Sequence, residues 1–163
     1  MVREVFYLKI NKKRLIICLV IPLAVGGIAA LLTGGRMDTF ETLNQPPLSP
    51  PAIVFPIVWG ILYALMGISA ARIALSPPSD ERSFGLNLFL SQLAVNFFWS
   101  VIFFNLRNYT LAFFWLLLLW GLVLWMILKF RKVDTPAAWL QIPYLLWLSF
   151  AAVLSFAVWQ LNS

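Results

Sequence analysis

Apolar residues fall into five long blocks, with nearly all charged residues between them: Leu15 to Thr33, about Pro51 to Leu75, Phe84 to Asn105, Tyr109 to Leu128 and Ala137 to Trp159. Each block is close to the roughly 20 residues that a helix needs to cross a hydrocarbon core. The blocks are continuous rather than alternating, which predicts helices and not a barrel. The expected fold is an all-α membrane protein, a five-transmembrane-helix bundle forming a single domain over residues 1–163. Breaks come at Gly34-Gly35, at Ser76-Pro77-Pro78-Ser79-Asp80 with Glu81-Arg82, at Arg107-Asn108, and at Asp134-Thr135-Pro136. Pro22 marks a kink site within the first block. A basic start followed by an apolar run also describes a signal peptide. This run is longer than an h-region and four more spans follow it, so it reads as a retained first helix.

The longest connection, residues 36–50, carries the proline pairs Pro46-Pro47 and Pro50-Pro51. Proline fixes φ and donates no backbone hydrogen bond, so this entry is extended or turning. Pro50 or Pro51 is expected to open the second helix, where a missing N–H costs nothing. A proline-stiffened lid thus leads into a helix bearing Trp59 and Tyr63 on one face. Gly60, Ala64, Gly67 and Ala71 form a neighbouring stripe of small residues. That spacing lets another helix approach closely within a bilayer.

Composition removes several function classes. With 62% hydrophobic and 11% charged residues, and a mean hydropathy of +0.89, the chain carries too much apolar surface for a soluble domain of this length. The net charge of +6 does not point to nucleic acid, because the positives flank the apolar blocks as topology signals do. Arg3, Lys9, Lys12, Lys13, Arg14, Arg72, Arg82, Lys129, Arg131 and Lys132 fall on one side of a five-span chain. Only Arg36 and Arg107 fall on the other. The expected orientation is N-terminus cytoplasmic and C-terminus external, in the cell membrane. There is no histidine, and the single cysteine, Cys18, lies in an apolar run, so no internal disulfide or His/Cys metal site is expected. All six carboxylates, Glu4, Asp38, Glu41, Asp80, Glu81 and Asp134, lie in loops or tails. Ion-coupled pumps normally hold ionisable groups at membrane depth. A paired-carboxylate or Ser/His/Asp mechanism has no base to work with in the spans.

What remains is aromatic and amide. At 100° per residue, Gln92, Asn96, Trp99, Ser100 and Phe103 share one arc of the third span. Trp147, Phe150, Ala151 and Leu154 share one arc of the fifth, with Pro143 and Tyr144 a turn earlier. Joined to Trp59 and Tyr63, these faces describe an apolar cavity with a few hydrogen-bonding groups, the usual form of a small-molecule site. The competing reading is that Gln92 and Asn96 only bond neighbouring helices. Trp115, Trp120 and Trp125 in the fourth span lack polar companions and are expected to face lipid or the interface.

The landmarks are the PP-x-x-PP entry at Pro46 to Pro51, VWGILYALMG at Val58 to Gly67, QLAVNFFWSVIFF at Gln92 to Phe104, PYLLWLSFA at Pro143 to Ala151 and VWQLN at Val158 to Asn162. In this order and with five spans, the chain resembles the translocator protein family, also called the TspO/MBR or peripheral-type benzodiazepine receptor family. The resemblance implies a five-helix membrane bundle, often a homodimer, that binds porphyrins and synthetic isoquinoline or benzodiazepine ligands; animal members also bind cholesterol. By this resemblance Trp59, Asn96 and Trp147 match pocket residues, and Ala151 a small residue there. Tyr63, Gln92, Trp99 and Phe103 match the same faces. The implied ligand is a tetrapyrrole, protoporphyrin or heme, with no cofactor required. The protein would act as a sensor or regulator, as a carrier or passive transporter, or as a porphyrin-degrading enzyme using Trp59 and Trp147 as redox-active aromatics. Two positions depart from the family pattern. Leu48 stands where many members have Trp in the entry loop. Phe156 and Gln160 stand at the Tyr and Arg positions of the animal cholesterol motif, so no sterol site is expected there.

Overall fold

A computed structural model describes residues 12–34, 42–44, 46–47 and 49–162. The readings placed on Arg3, Glu4, Lys9, Arg36, Asp38, Glu41 and Leu48 lie outside those residues. Among the described residues, five helices are long and apolar enough to cross a membrane. The first, α1, is Lys12–Leu32 and continues through Pro22. The Thr33 hydroxyl donates to the Ala29 carbonyl at 2.9 Å as the chain leaves it.

The second helix, α2, is Val54–Leu75, three residues later than the proline pairs predict. Pro56 gives the reason. A helix opening at Pro51 would place Pro56 in its interior, lose a bond to the Ala52 carbonyl and clash with it. Starting at Val54 puts Pro56 in the first turn, where N–H groups have no intrahelical partner. A turn closed by Val54 N–H to the Pro51 carbonyl, 2.9 Å, precedes the helix.

The third helix, α3, is Asp80–Ser100 and starts ahead of the apolar block. The Ser79 hydroxyl caps it, accepting from Arg82 N–H at 3.1 Å, and Asp80 and Glu81 complement the positive end of the helix dipole. Its C-terminal end passes into a π-helical turn, Val101–Asn105. In the connection that follows, Arg107 has a left-handed backbone, φ 52°. The Asn108 side chain then caps the fourth helix by accepting from Leu111 N–H at 2.9 Å.

That helix, α4, is Tyr109–Val133 and runs past the predicted end at Leu128. Its basic last turn suits a helix C-terminus. The expected fifth span is two pieces: a short α5, Thr135–Trp139, and a long α6, Ile142–Asn162. Pro143 explains the break, since a continuous helix would need its missing N–H to reach the Trp139 carbonyl.

Helix α1 packs on α2, α3 on α4, and α4 on α6. The small-residue stripe acts in the first of these contacts. A Cβ on Gly67 would sit 2.9 Å from the Leu19 Cα of α1, whereas Gly60 has nothing within 4 Å. Cys18 packs against the core beside this contact. At the end of the bundle where α2 finishes and α3 starts, Ile73, Met126 and Phe130 are completely buried, as are Met66, Leu119 and Leu148 nearer the middle. There the Ser69 hydroxyl donates to the Ala137 carbonyl at 2.7 Å. Arg72 pairs with Asp134 at 2.6 Å, and Glu81 with Lys129 at 3.0 Å and Lys132 at 3.2 Å. Because the long helices alternate in direction, Lys13, Arg14, Arg82 and Arg131 gather at this same end.

Candidate functional site

The opposite end of the bundle is built differently. Helices α2 and α6 scarcely touch through their backbones, and a cavity of about 150 Å³ lies between α1, α2, α3 and α6. Helix α1 contributes Gly26, Ala29 and Ala30, and the turn after it Thr33. Helix α2 contributes Phe55, Pro56, Trp59 and Tyr63. The end of α3 and its π turn contribute Trp99, Ser100, Phe103 and Phe104, and α6 contributes Trp147, Ala151, Leu154, Ser155 and Val158. None of these side chains carries a charge.

The rings are arranged in contacting pairs. Trp59 lies 5.4 Å from Tyr63 and 6.0 Å from Tyr144, centroid to centroid. Phe55 meets Trp147 edge-on at 5.9 Å, bridging α2 and α6. Trp99 and Phe103 are 5.3 Å apart and tilted by 30°. Such offset and edge-on geometries are the favoured ones for aromatic pairs. The π turn adds one residue to the helical repeat. Phe104, five residues after Trp99, therefore joins the same group, 6.4 Å from it. At Gly26 the Tyr63 ring comes so close that a Cβ there would collide with it. Glycine there lets α1 close one wall.

Of the residues singled out in the sequence, the fold brings Trp59, Tyr63, Trp99, Ser100, Phe103, Trp147, Ala151 and Leu154 to one cavity. Phe150 stands on an outward-facing apolar groove with Pro143, Leu146 and one side of Trp147. Gln92 and Asn96 are fully buried but lie behind the cavity wall. The Tyr144 hydroxyl donates to Gln92 Oε1 at 3.0 Å, and Asn96 Nδ2 donates to the Tyr63 hydroxyl oxygen at 3.1 Å. Both amides thus bond across helices, and Asn96 meets the cavity through Tyr63.

The reading of the α4 tryptophans is corrected at two positions. Trp115 Nε1 donates to the Val95 carbonyl at 2.8 Å, and Trp120 Nε1 donates to the Ser149 hydroxyl at 2.9 Å. Their partners lie on other helices, so nothing in the sequence around them announces the bonds. Trp125 is exposed and meets Phe84 edge-on at 5.3 Å. Sequence reasoning also passed over the α1 wall, Phe55 and Ser155. The small residues between Gly26 and Ala30 were the available signal for α1, and a weak one.

Above the cavity, the described part of the 36–50 connection is tied to the end of α6. Asn44 N–H donates to Asn162 Oδ1 and Asn162 Nδ2 donates to the Asn44 carbonyl, each at 3.1 Å. Leu43 packs on Ile102, Phe103 and Val158. This arrangement suits binding by ring contact and shape. Its lining holds no Asp, Glu, Lys, Arg or His, and among the described residues no cluster of metal-ligating side chains occurs.

Comparison with known proteins agrees with this architecture. Residues 18–160 match the TspO/MBR family. The chain is 39% identical over 133 residues to the translocator protein of Ovis aries, covering 80% of this chain and 79% of that protein. It is 35% identical over 150 residues to the tryptophan-rich protein TspO of Chlorobaculum tepidum, covering 91% and 95%. Over 125 residues it is 34% identical to the tryptophan-rich sensory protein of Cereibacter sphaeroides, covering 77% of each. The chain is a multi-pass membrane protein that belongs to the TspO/MBR family.

Proposed function

We propose that this protein binds a flat, largely apolar tetrapyrrole, protoporphyrin or heme, in the aromatic cavity, and acts as its sensor or carrier. The observation that carries the reading is the convergence of Trp59, Trp99 and Trp147, from three helices, on one cavity without charged walls. Relatives named translocator protein and tryptophan-rich sensory protein support the same two roles.

At about 150 Å³ the cavity is smaller than the roughly 300–1,000 Å³ of drug-sized sites. A tetrapyrrole therefore enters with a spreading of the walls. The wall that parts is the one between α2 and α6, which the Phe55–Trp147 and Trp59–Tyr144 ring contacts hold with little backbone contact beside them. An ionised carboxylate inside an uncharged cavity is costly, so the carboxylates of the ligand stay at the mouth, near Leu43 and Asn44. The basic end of the bundle faces the cytoplasm and the cavity end faces outward, following the positive-inside rule. The protein works as a homodimer in the cell membrane.

Titration of the detergent-solubilised protein with protoporphyrin, read by fluorescence quenching, tests the binding. Saturable binding is expected; linear, protein-independent partitioning contradicts it. Following the same mixtures by absorbance in dark and light separates a binder from an enzyme, which would consume the porphyrin. A cytoplasmic signal from a C-terminal reporter fusion would overturn the orientation.

A further inference from the structure

Behind the cavity wall lies a row of buried polar groups that ring stacking does not use. Tyr144, Gln92 and Asn96 are each at most 1% exposed. Gln92 and Asn96 are four residues apart on α3 and so share a face. Gln92 Oε1 accepts from the Tyr144 hydroxyl at 3.0 Å, while Gln92 Nε2 has no partner. Asn96 Nδ2 donates to the Tyr63 hydroxyl oxygen at 3.1 Å, while Asn96 Oδ1 has no partner. One orphan is a donor and the other an acceptor. A buried polar group left unpaired is costly, and buried water in protein interiors typically bonds to such groups.

We infer that a buried water bridges Gln92 Nε2 to Asn96 Oδ1 and completes a relay that turns the Tyr63 hydroxyl into a hydrogen-bond donor for the cavity. The inference rests on the proposal that the cavity is a ligand site. With the water in place every donor points one way: Tyr144 to Gln92, Gln92 to water, water to Asn96, Asn96 to Tyr63. Because Tyr63 accepts from Asn96, its own proton is left to donate. Chains of this kind polarise one another in a low-dielectric interior. The ligand class is thereby narrowed to flat apolar molecules carrying a hydrogen-bond acceptor, such as a carbonyl oxygen. Tyr63 touches the ligand; Asn96, Gln92 and Tyr144 are positioning residues.

The probes are 9-fluorenone and fluorene, flat neutral tricycles that differ by one carbonyl. Their binding is measured by calorimetry in detergent micelles against protein-free micelles. The parent is expected to prefer fluorenone by about five- to tenfold, the worth of one net hydrogen bond. Tyr63→Phe removes the preference. Tyr144→Phe, away from the cavity wall, reduces it too, and the double variant goes no lower than Tyr63→Phe. Where Tyr144→Phe does not fold, Gln92→Met cuts the relay one link further on and carries the same expectation. Equal weakening of both probes by Tyr144→Phe overturns the relay. An absent carbonyl preference in the parent overturns the donor role of Tyr63, as when Tyr63 instead donates back to a flipped Asn96 amide. Protoporphyrin binding without binding of either probe overturns the donor role while leaving the tetrapyrrole reading intact. A high-resolution structure with Gln92 and Asn96 directly bonded, or with no density between them, overturns the water.

Discussion

The two ends of this bundle use the same helices in opposite ways. From the middle of the bundle to the basic end, Met66, Ile73, Leu119, Met126, Phe130 and Leu148 have no exposure, and Gly67 admits the α1 backbone. At the other end, Phe55, Trp59, Trp99, Phe103 and Trp147 meet ring to ring and leave a cavity. The packed region, Phe130 included, is filled to contact, whereas the rings at the other end meet edge-on or tilted and leave space between them. The backbone follows the same division. The π turn at Val101–Asn105 and the left-handed Arg107 both lie at the cavity end. One end is closed by packing and the other holds a cavity.

The largest expected effect comes from breaking the packed end. Phe130 is completely buried and lies against Gly85, where a Cβ would be 3.1 Å from its ring. Phe130→Ala should cost about 3 kcal/mol of stability and leave porphyrin affinity unchanged in the fraction that folds. Denaturant melts paired with titrations on each variant check both halves. Next come the cavity rings. Trp59→Ala and Trp147→Ala should each cost about 2 kcal/mol or more of porphyrin affinity, as truncated anchors do, with little shift in melting temperature. Full affinity in either variant would dissolve the contrast between the two ends. At the α1–α2 contact, Gly67→Ala drives a methyl into the Leu19 backbone, and overpacking of this kind costs about 2 kcal/mol. A melting temperature equal to that of the parent would show that α1 is free to shift. The smallest effect belongs to Arg107. A non-glycine residue at φ 52° carries a steric cost of roughly 1 kcal/mol. Arg107→Gly should therefore raise the melting temperature slightly without changing affinity.

The five spans were legible because apolar length alone specifies them. Their ends were less so, since each depends on one polar detail. Pro56 delays α2, Ser79 caps α3 early, and Pro143 splits α5 from α6. The cavity rings were legible as faces at helical spacing, because Trp59 with Tyr63 and Trp99 with Phe103 each fall four apart. Gln92 and Asn96 lie on the cavity-facing arc of α3, yet their side chains reach Tyr144 and Tyr63 instead. Facing tells which helices a side chain can meet, not which atom accepts its bond. The same gap explains Trp115 and Trp120, whose acceptors sit at Val95 and Ser149 on other helices. The α1 wall was hidden because glycine and alanine shape a cavity by what they lack.

The central claim is that the ligand occupies the aromatic end and not the packed one. The most direct measurement is a structure of the protein saturated with protoporphyrin. The ring system should lie between Trp59, Trp99 and Trp147, with Phe55 and Trp147 drawn apart and the basic end unchanged. Porphyrin density on the lipid-facing side of α4, or a cavity still closed by the Phe55–Trp147 contact, would contradict it.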